Sequence, residues 1–269
     1  MPKVSVIMGV YNAQEKFLKE AVLSILDQTF IDFEFIICDD GSTNNSINVL
    51  KEISNYDRRI KLISNSENKG LAYTLNRCLE ISKGEYIARM DADDKCEKNR
   101  FERQVKILDQ NKQIGVVNLN AYLFDENGIW GREEHNEIIR KEDFLYNNPI
   151  IHPAVMVRKS AYEKVGGYRN IKMTVRVEDY DLFMRMYNKK INMVTVQEFL
   201  FFYREDKDAI KRRKFKYRIN ELKVRNYGFK KMGLLEKKTN YFYVIKPIVI
   251  GLIPIGIIRK LRKLRKNEE

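Results

Sequence analysis

Three short acidic stretches hold the residue types most able to do chemistry in this chain. Asp91, Asp93 and Asp94 crowd the stretch MDADD at 90–94. Hard divalent cations such as Mn2+ or Mg2+ take oxygen ligands, commonly one or two carboxylates together with substrate phosphates. Like charges this close need a cation, a shared proton or solvent to relieve them. A metal-binding pair, Asp91 and Asp93, is one reading of this stretch; a solvated acidic loop leading into a helix at Asn99 is the other. Asp39 and Asp40 precede Gly41 and Ser42. Asp and Gly are turn formers, but Asp40 could also accept an imide N–H of a nucleobase, a charge-assisted and directional bond. Tyr11 would then offer a ring for stacking. The third group is Glu178, Asp179 and Asp181. Acids in a first helical turn stabilise the helix, and alternatively one of them is a general base that takes the proton of an attacking hydroxyl. The residues alone leave both open. His152, one of two histidines with His135, reads first as structural and second as a contact to substrate.

The elements that must position these residues follow from periodicity. Lys3 to Val10, Phe33 to Cys38, Ile60 to Ile63 and Glu85 to Met90 are short apolar runs, readable as buried strands. Between them, Phe17, Ala21, Val22 and Ile25 share a helical face, as do Leu71, Leu75, Cys78 and Leu79. Strands alternating with helices at this spacing predict βαβ units and a parallel sheet covered on both faces. In such sheets ligands bind beyond the carboxyl ends of the strands. Tyr11-Asn12, Asp39-Asp40, Asn68-Lys69-Gly70 and Asp91 to Asp94 all fall there. Farther on, Phe101, Gln104, Val105 and Leu108 predict a helix, Val116 to Phe124 a strand and 125–128 a turn. A polar loop with a short helix is expected over 132–148, then a strand over Ala154 to Val157. A helix over Asp179 to Tyr187 and a strand over Ile191 to Val196 complete the pattern.

Charge is unevenly spread. The chain of 269 residues carries a net charge of +13, yet residues 207–269 hold 20 Lys/Arg against 5 Asp/Glu while residues 1–206 are close to neutral. Two regions are therefore expected: a catalytic body over 1–206 and a helical basic and hydrophobic tail over 207–269, with an anionic partner for the tail. Tyr241 to Ile258 is almost wholly apolar but contains Pro247, Gly251, Pro254 and Gly256, and Arg259 to Lys266 is polybasic. A spanning helix needs about 20 apolar residues, so a segment lying in the interface of an anionic membrane is preferred to the alternative, a solvated helical pair packed on the domain. The opening residues run straight into a strand without a secretory pattern, and three cysteines without metal-ligand spacing fit a reducing compartment. The expected setting is the cytoplasmic, inner face of the cell membrane.

Together these segments resemble the family-2 glycosyltransferases, inverting enzymes of the GT-A fold. The matching residues are VSVIMGVYN at 4–12, QTF at 28–30, CDDGSTN at 38–44, NKGLAYTLN at 68–76, GEYIARMDADD at 84–94, EDYDL at 178–182 and Tyr203-Arg204. HPAVMVRK at 152–159 is similar to bacterial enzymes that build surface polysaccharides. The resemblance implies an α/β, Rossmann-like, mostly parallel sheet flanked by helices. It implies Tyr11 stacking on the base, Asp40 accepting its N–H, and Asp91 and Asp93 as the DxD pair that contacts ribose and a metal-bound diphosphate. It implies Asp179 as catalytic base, with Glu178 and His152 on the acceptor side and Mn2+ or Mg2+ as cofactor. The activity implied is transfer of one hexosyl unit from a nucleotide sugar, most simply a UDP-sugar, to a hydroxyl of a glycan or lipid-linked acceptor. Gly9 stands where some members carry a nucleotide-contacting side chain. The QxxRW signature of processive members is absent near the end of the domain. A nucleic-acid-binding reading of the basic tail leaves the acidic clusters unexplained, so nucleic acid is not an expected partner. A nucleotidyltransferase on a related fold would need a Gly-rich phosphate loop after the first strand, which Gly9-Val10-Tyr11-Asn12 does not provide.

Overall fold

The computed structural model describes residues 1–205 and 215–253. Its elements run β1 (Val4–Val10), α1 (Glu15–Leu26), β2 (Phe33–Asp39), α2 (Ser46–Tyr56), β3 (Ile60–Ser64), α3 (Leu71–Ile81) and β4 (Tyr86–Arg89). Then come β5 (Lys95–Cys96), α4 (Arg100–Gln110), β6 (Ile114–Asp125), β7 (Gly128–Glu133), α5 (Asp143–Tyr146), β8 (Met156–Arg158), α6 (Lys159–Val165), α7 (Glu178–Asn188) and β9 (Asn192–Arg204). Two helices follow, α8 (Phe215–Lys231) and α9 (Tyr241–Leu252).

The strands form one sheet in the order β3-β2-β1-β4-β8-β6-β9-β5, with β7 paired to β6. The first four are parallel, as expected for βαβ units. Beyond β4 directions mix: β8 runs antiparallel to β4 and β6, and β9 parallel to β6. Strand order reverses at β1, which lies between β2 and β4, so the crevice at the carboxyl ends of β1 and β4 is the topological switch point where ligands bind in open α/β sheets. The polar clusters of Tyr11 and Asp91 follow these two strands.

Because alternate residues of a strand face opposite ways, the apolar strands feed two cores. Val6, Met8, Phe35 and Ala88 pack with Leu18 and Phe101 on one face. Ile7, Ile36 and Ile87 pack with Leu75, Leu182 and Phe229 on the other. Each such side chain contributes on the order of 1.5–3 kcal/mol when fully buried. Phe229, Val224 and Val244 come from α8 and α9, so the described part of the C-terminal segment shares the second core. The segments 207–214 and 254–269, including the polybasic stretch 259–266, lie outside the described residues.

Buried polar side chains tie the acidic loop to its surroundings. Gln28, at the end of α1, donates through Nε2 to Ser24 O at 3.0 Å and Glu97 O at 2.7 Å, and its Oε1 accepts the Phe101 N–H at 3.0 Å. One amide thus joins α1, the chain leaving the acidic loop and the start of α4. Arg100 is wholly buried and donates through Nη2 to the carbonyls of Arg89, Pro153 and Val155. Gln104, one turn on, donates to Val117 O and Ala154 O. Replacing Gln28 with Leu is expected to destabilise the fold by roughly 1–3 kcal/mol for each buried group it leaves unpaired. Urea denaturation reads this directly, and an unchanged midpoint and slope would contradict the role given to Gln28.

Candidate active site

On the β1–β2 side the geometry is built by interlocking turns. Asn12 adopts a positive φ of 50°, a region Asn tolerates better than most residues. Its N–H donates to Ser42 Oγ at 2.9 Å and its Oδ1 accepts from the Thr43 N–H at 2.8 Å. This fixes the 39–44 turn against the end of β1 and leaves Tyr11 projecting, 49% exposed. Asp40 is buried. Its Oδ1 accepts from Asn65 Nδ2 at 2.6 Å and the Lys69 N–H at 2.8 Å, and its Oδ2 from the Gly70 N–H at 2.9 Å. The carboxylate predicted to read a base therefore also pins the loop leading into α3. Its neighbour Asp39 accepts the Ser42 N–H through Oδ2, while Oδ1 is buried without a hydrogen-bond partner. Gly41 makes the approach of turn and loop possible: its φ is +69°, and a Cβ there would lie 2.6 Å from the backbone of Glu67.

After β4 the chain enters the acidic loop. Asp91, Asp93 and Asp94 each offer a carboxylate oxygen within 4.8 Å of the others, so the i, i+2 pair seen in the sequence converges and is joined by Asp94. Asp94 is buried; its Oδ1 accepts the Arg204 N–H at 2.7 Å and its Oδ2 has no hydrogen-bond partner. Burial, then the charges of Asp93 and Asp91, push the Asp94 carboxyl well above the usual carboxylate range. Hard oxygen donors this close, one of them buried and unpartnered, fit a divalent cation. Asn99, by contrast, makes no side-chain cap to α4. Two arginines outside the predicted site hold the loop. Arg89 Nη2 is 2.5 Å from Asp91 Oδ1. Arg204, from the end of β9, donates through Nε to Asp93 O at 2.7 Å and lies over the rings of Phe17 and Phe124 at 3.7 and 4.3 Å.

The second acidic cluster opens α7. Asp181 is buried and paired with Arg169 at 3.2 Å and Arg185 at 2.7 Å, which gives it a structural task. Asp179 is partly buried, and its Oδ2 accepts from Asn148 Nδ2 at 2.9 Å. Burial raises its pKa, opposed by the Tyr180 N–H, Asn148 and the positive charge of Arg89. Glu178 is pushed up to about 7, by burial and then by Asp179. Arg89 is thus the link between the two clusters: it pairs with Asp91, and its field also reaches Asp179. It is wholly buried, and its Nε and Nη1 have no hydrogen-bond partner. No sequence signal singled it out, since only the fold reveals which arginines are interior.

His152 lies in a 3-10 turn, Nε2 2.7 Å from the Tyr168 hydroxyl, which is 3.2 Å from that of Tyr162. Burial, then Arg89, hold its pKa far below the ordinary value, so it is a neutral imidazole in an aromatic pocket. A separate hollow of about 460 Å³, lined by Lys3, Asp32, Lys83, Glu85 and Arg158, sits at the opposite ends of β1 and β4 and includes none of the predicted site residues.

Known proteins share the fold and much of the sequence that carry these residues. The family model for glycosyl transferase family 2 matches residues 5–192, a span that includes every predicted site residue. A Bacillus subtilis protein bearing the glycosyltransferase name EpsE is 37% identical over 98% of this chain and 94% of its own length. An Escherichia coli UDP-Gal:α-D-GlcNAc-diphosphoundecaprenol β-1,3-galactosyltransferase is 29% identical over 94% of this chain and 92% of its own. Among solved structures, S. aureus TarS 1–349 in complex with UDP-GlcNAc superposes with a TM-score of 0.64 at 16% identity, covering 93% of this chain and 82% of that one. The mannosyltransferase PcManGT of Pyrobaculum calidifontis, in complex with GDP-Man and Mn2+, superposes with a TM-score of 0.65 at 18% identity, over 97% and 79%. These structures share the GT-A fold, and the sequence match joins fold to function: the chain belongs to glycosyl transferase family 2 and is a glycosyltransferase.

Proposed function

We propose that this enzyme moves a single sugar, with inversion, from a UDP-sugar to a hydroxyl of a lipid-linked glycan, in cell-surface polysaccharide synthesis, using Mn2+ or Mg2+. The observation that carries the reading is the convergence of Asp91, Asp93 and Asp94 within 4.8 Å of one another, beside an arginine whose charge also acts on Asp179. The donor class is favoured by the UDP-GlcNAc complex of TarS and by the UDP-Gal in the name of the E. coli relative, which also names a diphosphoundecaprenol acceptor.

In this reading the base stacks on Tyr11 and meets Asp40, and Asp91 and Asp93 would hold the cation. When bound, the cation would supply charge neutralisation for a departing diphosphate. Asp179 accepts the proton of the acceptor hydroxyl as its oxygen forms the new bond to the anomeric carbon. The bond from that carbon to the diphosphate breaks on the opposite face, its electron pair leaving with the diphosphate. Glu178 and His152 line the acceptor side, and alignment of the two substrates supplies much of the remaining acceleration.

The tail, 207–269, is assigned to an anionic membrane surface. Tyr241, Phe242, Ile245, Val249 and Leu252 form an exposed apolar side of α9, and Pro247 lies inside that helix. Among the described residues no helix is long and apolar enough to cross a membrane, which suits a segment lying in the interface.

Asp179→Asn is expected to keep donor binding and lose about 10²–10⁴ in turnover. Because a base works only when ionised and burial raises the Asp179 pKa, kcat/KM is expected to fall as pH drops through a value above 3.8. That limb disappears in Asp179→Asn; if it persists there and vanishes in Glu178→Gln, the base is Glu178. Chelation with EDTA should abolish turnover, with recovery on adding Mn2+ or Mg2+, and Asp93→Ala should lose metal-dependent protection of the donor complex in thermal unfolding; full activity in EDTA excludes a cation role. Flotation with anionic liposomes is expected for the full chain and not for a full-length variant whose six Lys and Arg over 259–266 are replaced by Ser, which keeps the helices that share the second core. Equal flotation of both would remove the membrane assignment.

A further inference from the structure

Among the described residues of the basic segment after the sheet, one arginine is buried away from any lipid surface. Arg225 of α8 is 1% exposed. Its Nε donates to Glu221 Oε1 at 3.0 Å, and its Nη1 to Leu145 O at 2.9 Å and Tyr243 O at 3.3 Å. Nη2 reaches Tyr146 O at 3.4 Å. Leu145 and Tyr146 end the single turn α5, where carbonyls lack helical successors and need outside donors. Lys246 of α9 supplies another, its Nζ donating to Tyr146 O at 2.7 Å. Two cations from the C-terminal helices thus close the last turn of α5.

Two paths lead from this clamp to Asp179. After α5 the chain passes Asn147 in an extended conformation to Asn148, whose Nδ2 donates to Asp179 Oδ2 at 2.9 Å. The Asn148 Oδ1 is buried without a partner, so the direction of that amide is set by where the backbone puts it. The second path runs through Tyr180, the residue after Asp179. The Arg225 guanidinium lies 5.1 Å from the Tyr180 ring centroid. That ring stacks on Phe144 with planes 5° apart, and its hydroxyl donates to Phe144 O. Arg225 therefore touches both the strap that carries the partner of Asp179 and the residue beside Asp179.

We infer that the C-terminal helices belong to the catalytic apparatus: Arg225 and Lys246 are positioning residues that hold Asn148, and through it the carboxylate of Asp179, in the orientation that takes the acceptor proton. This rests on the reading of Asp179 as the base. A misplacement of about 1 Å can cost up to about 10²-fold in rate, whereas the Arg225 contacts described above run to α5, α8, α9 and Tyr180, so donor binding is expected to be unaffected.

The test compares Arg225→Met, Lys246→Met, Asn148→Ala and the double variant Arg225→Met/Asn148→Ala in the full chain, with Asp179→Asn as reference. For each, kcat, donor KM and UDP-induced thermal shift with Mn2+ are measured. Arg225→Met is expected to lower kcat about 10–100-fold, and Lys246→Met to lower it less. Donor KM and the UDP shift stay at wild-type values, a split that simple loss of folded protein does not produce. In the double variant the two losses do not multiply, because both act through one contact. Wild-type kcat in folded Arg225→Met and Lys246→Met overturns the inference, as do losses that multiply. Should Arg225→Met fail to fold, the partly exposed Lys246 decides in the same way, its double variant with Asn148→Ala replacing the first. Retained turnover in Asp179→Asn is a separate result that sinks the base assignment itself.

Discussion

Mutual repulsion at the carboxyl end of β4 is the constraint around which the rest is arranged. Three carboxylates approach within 4.8 Å, and one of them, Asp94, is fully buried. A folded chain holds such a group only with opposing charge, donated hydrogen bonds or a proton. Arg89 opposes Asp91, the Arg204 N–H binds Asp94, and the Arg204 guanidinium holds the backbone at Asp93. Behind them Gln28 and Arg100 fix the strand ends from which the loop departs. The cost of the cluster is thus distributed over β4, β9, α1 and α4, elements spread between residues 15 and 204. A cation bound there would add the charge that the arginines only partly provide.

Much of this was legible in the sequence because parallel βαβ units announce themselves. Apolar runs followed by polar pairs marked four strand ends, and the alternation of strand and helix placed those ends on one edge. The buried face of α4 is legible at Phe101, Gln104, Val105 and Leu108, which all lie inside. Where the strands stop alternating with helices, legibility fell. β5 has two residues, too few for a period, and β7 pairs locally with β6 beyond a turn. β9 extends to Arg204 although Gln197 and Glu198 interrupt its apolar pattern; pairing along β6, with register shifts near Asn120, carries the strand through them.

Partner choice was the harder limit. Asp179 and Asp181 have the same side chain two residues apart, yet one is paired with Arg169 and Arg185 while the other accepts from an asparagine side chain and backbone N–H groups and feels Arg89 only through its field. Nothing in the local sequence distinguishes them. Likewise, a net excess of cations over 207–269 averages over residues with different tasks. Arg225 is interior and serves carbonyls, a role visible only once α8 is docked against α5. Arg89 sits two residues before Asp91 and reads in the sequence as a strand residue, though its guanidinium pairs with Asp91 and its charge also acts on Asp179.

The two readings of an acid at the start of α7 are finally one. A carboxylate in a first helical turn is stabilised by N–H groups with no helical partners, and Asp179 draws on this through Tyr180. Burial works against it and raises the pKa, while Asn148 and Arg89 pull it back. Either influence alone would spoil a base: unopposed N–H bonds make it too weak to take a proton, and unopposed burial keeps it protonated. Efficient proton transfer asks for a pKa between these limits, so the helix terminus that steadies the fold would also set the strength of Asp179 in the role proposed for it. The nearby Glu178 is pushed up to about 7 by burial and by Asp179, against the opposing pull of backbone N–H groups and Arg176.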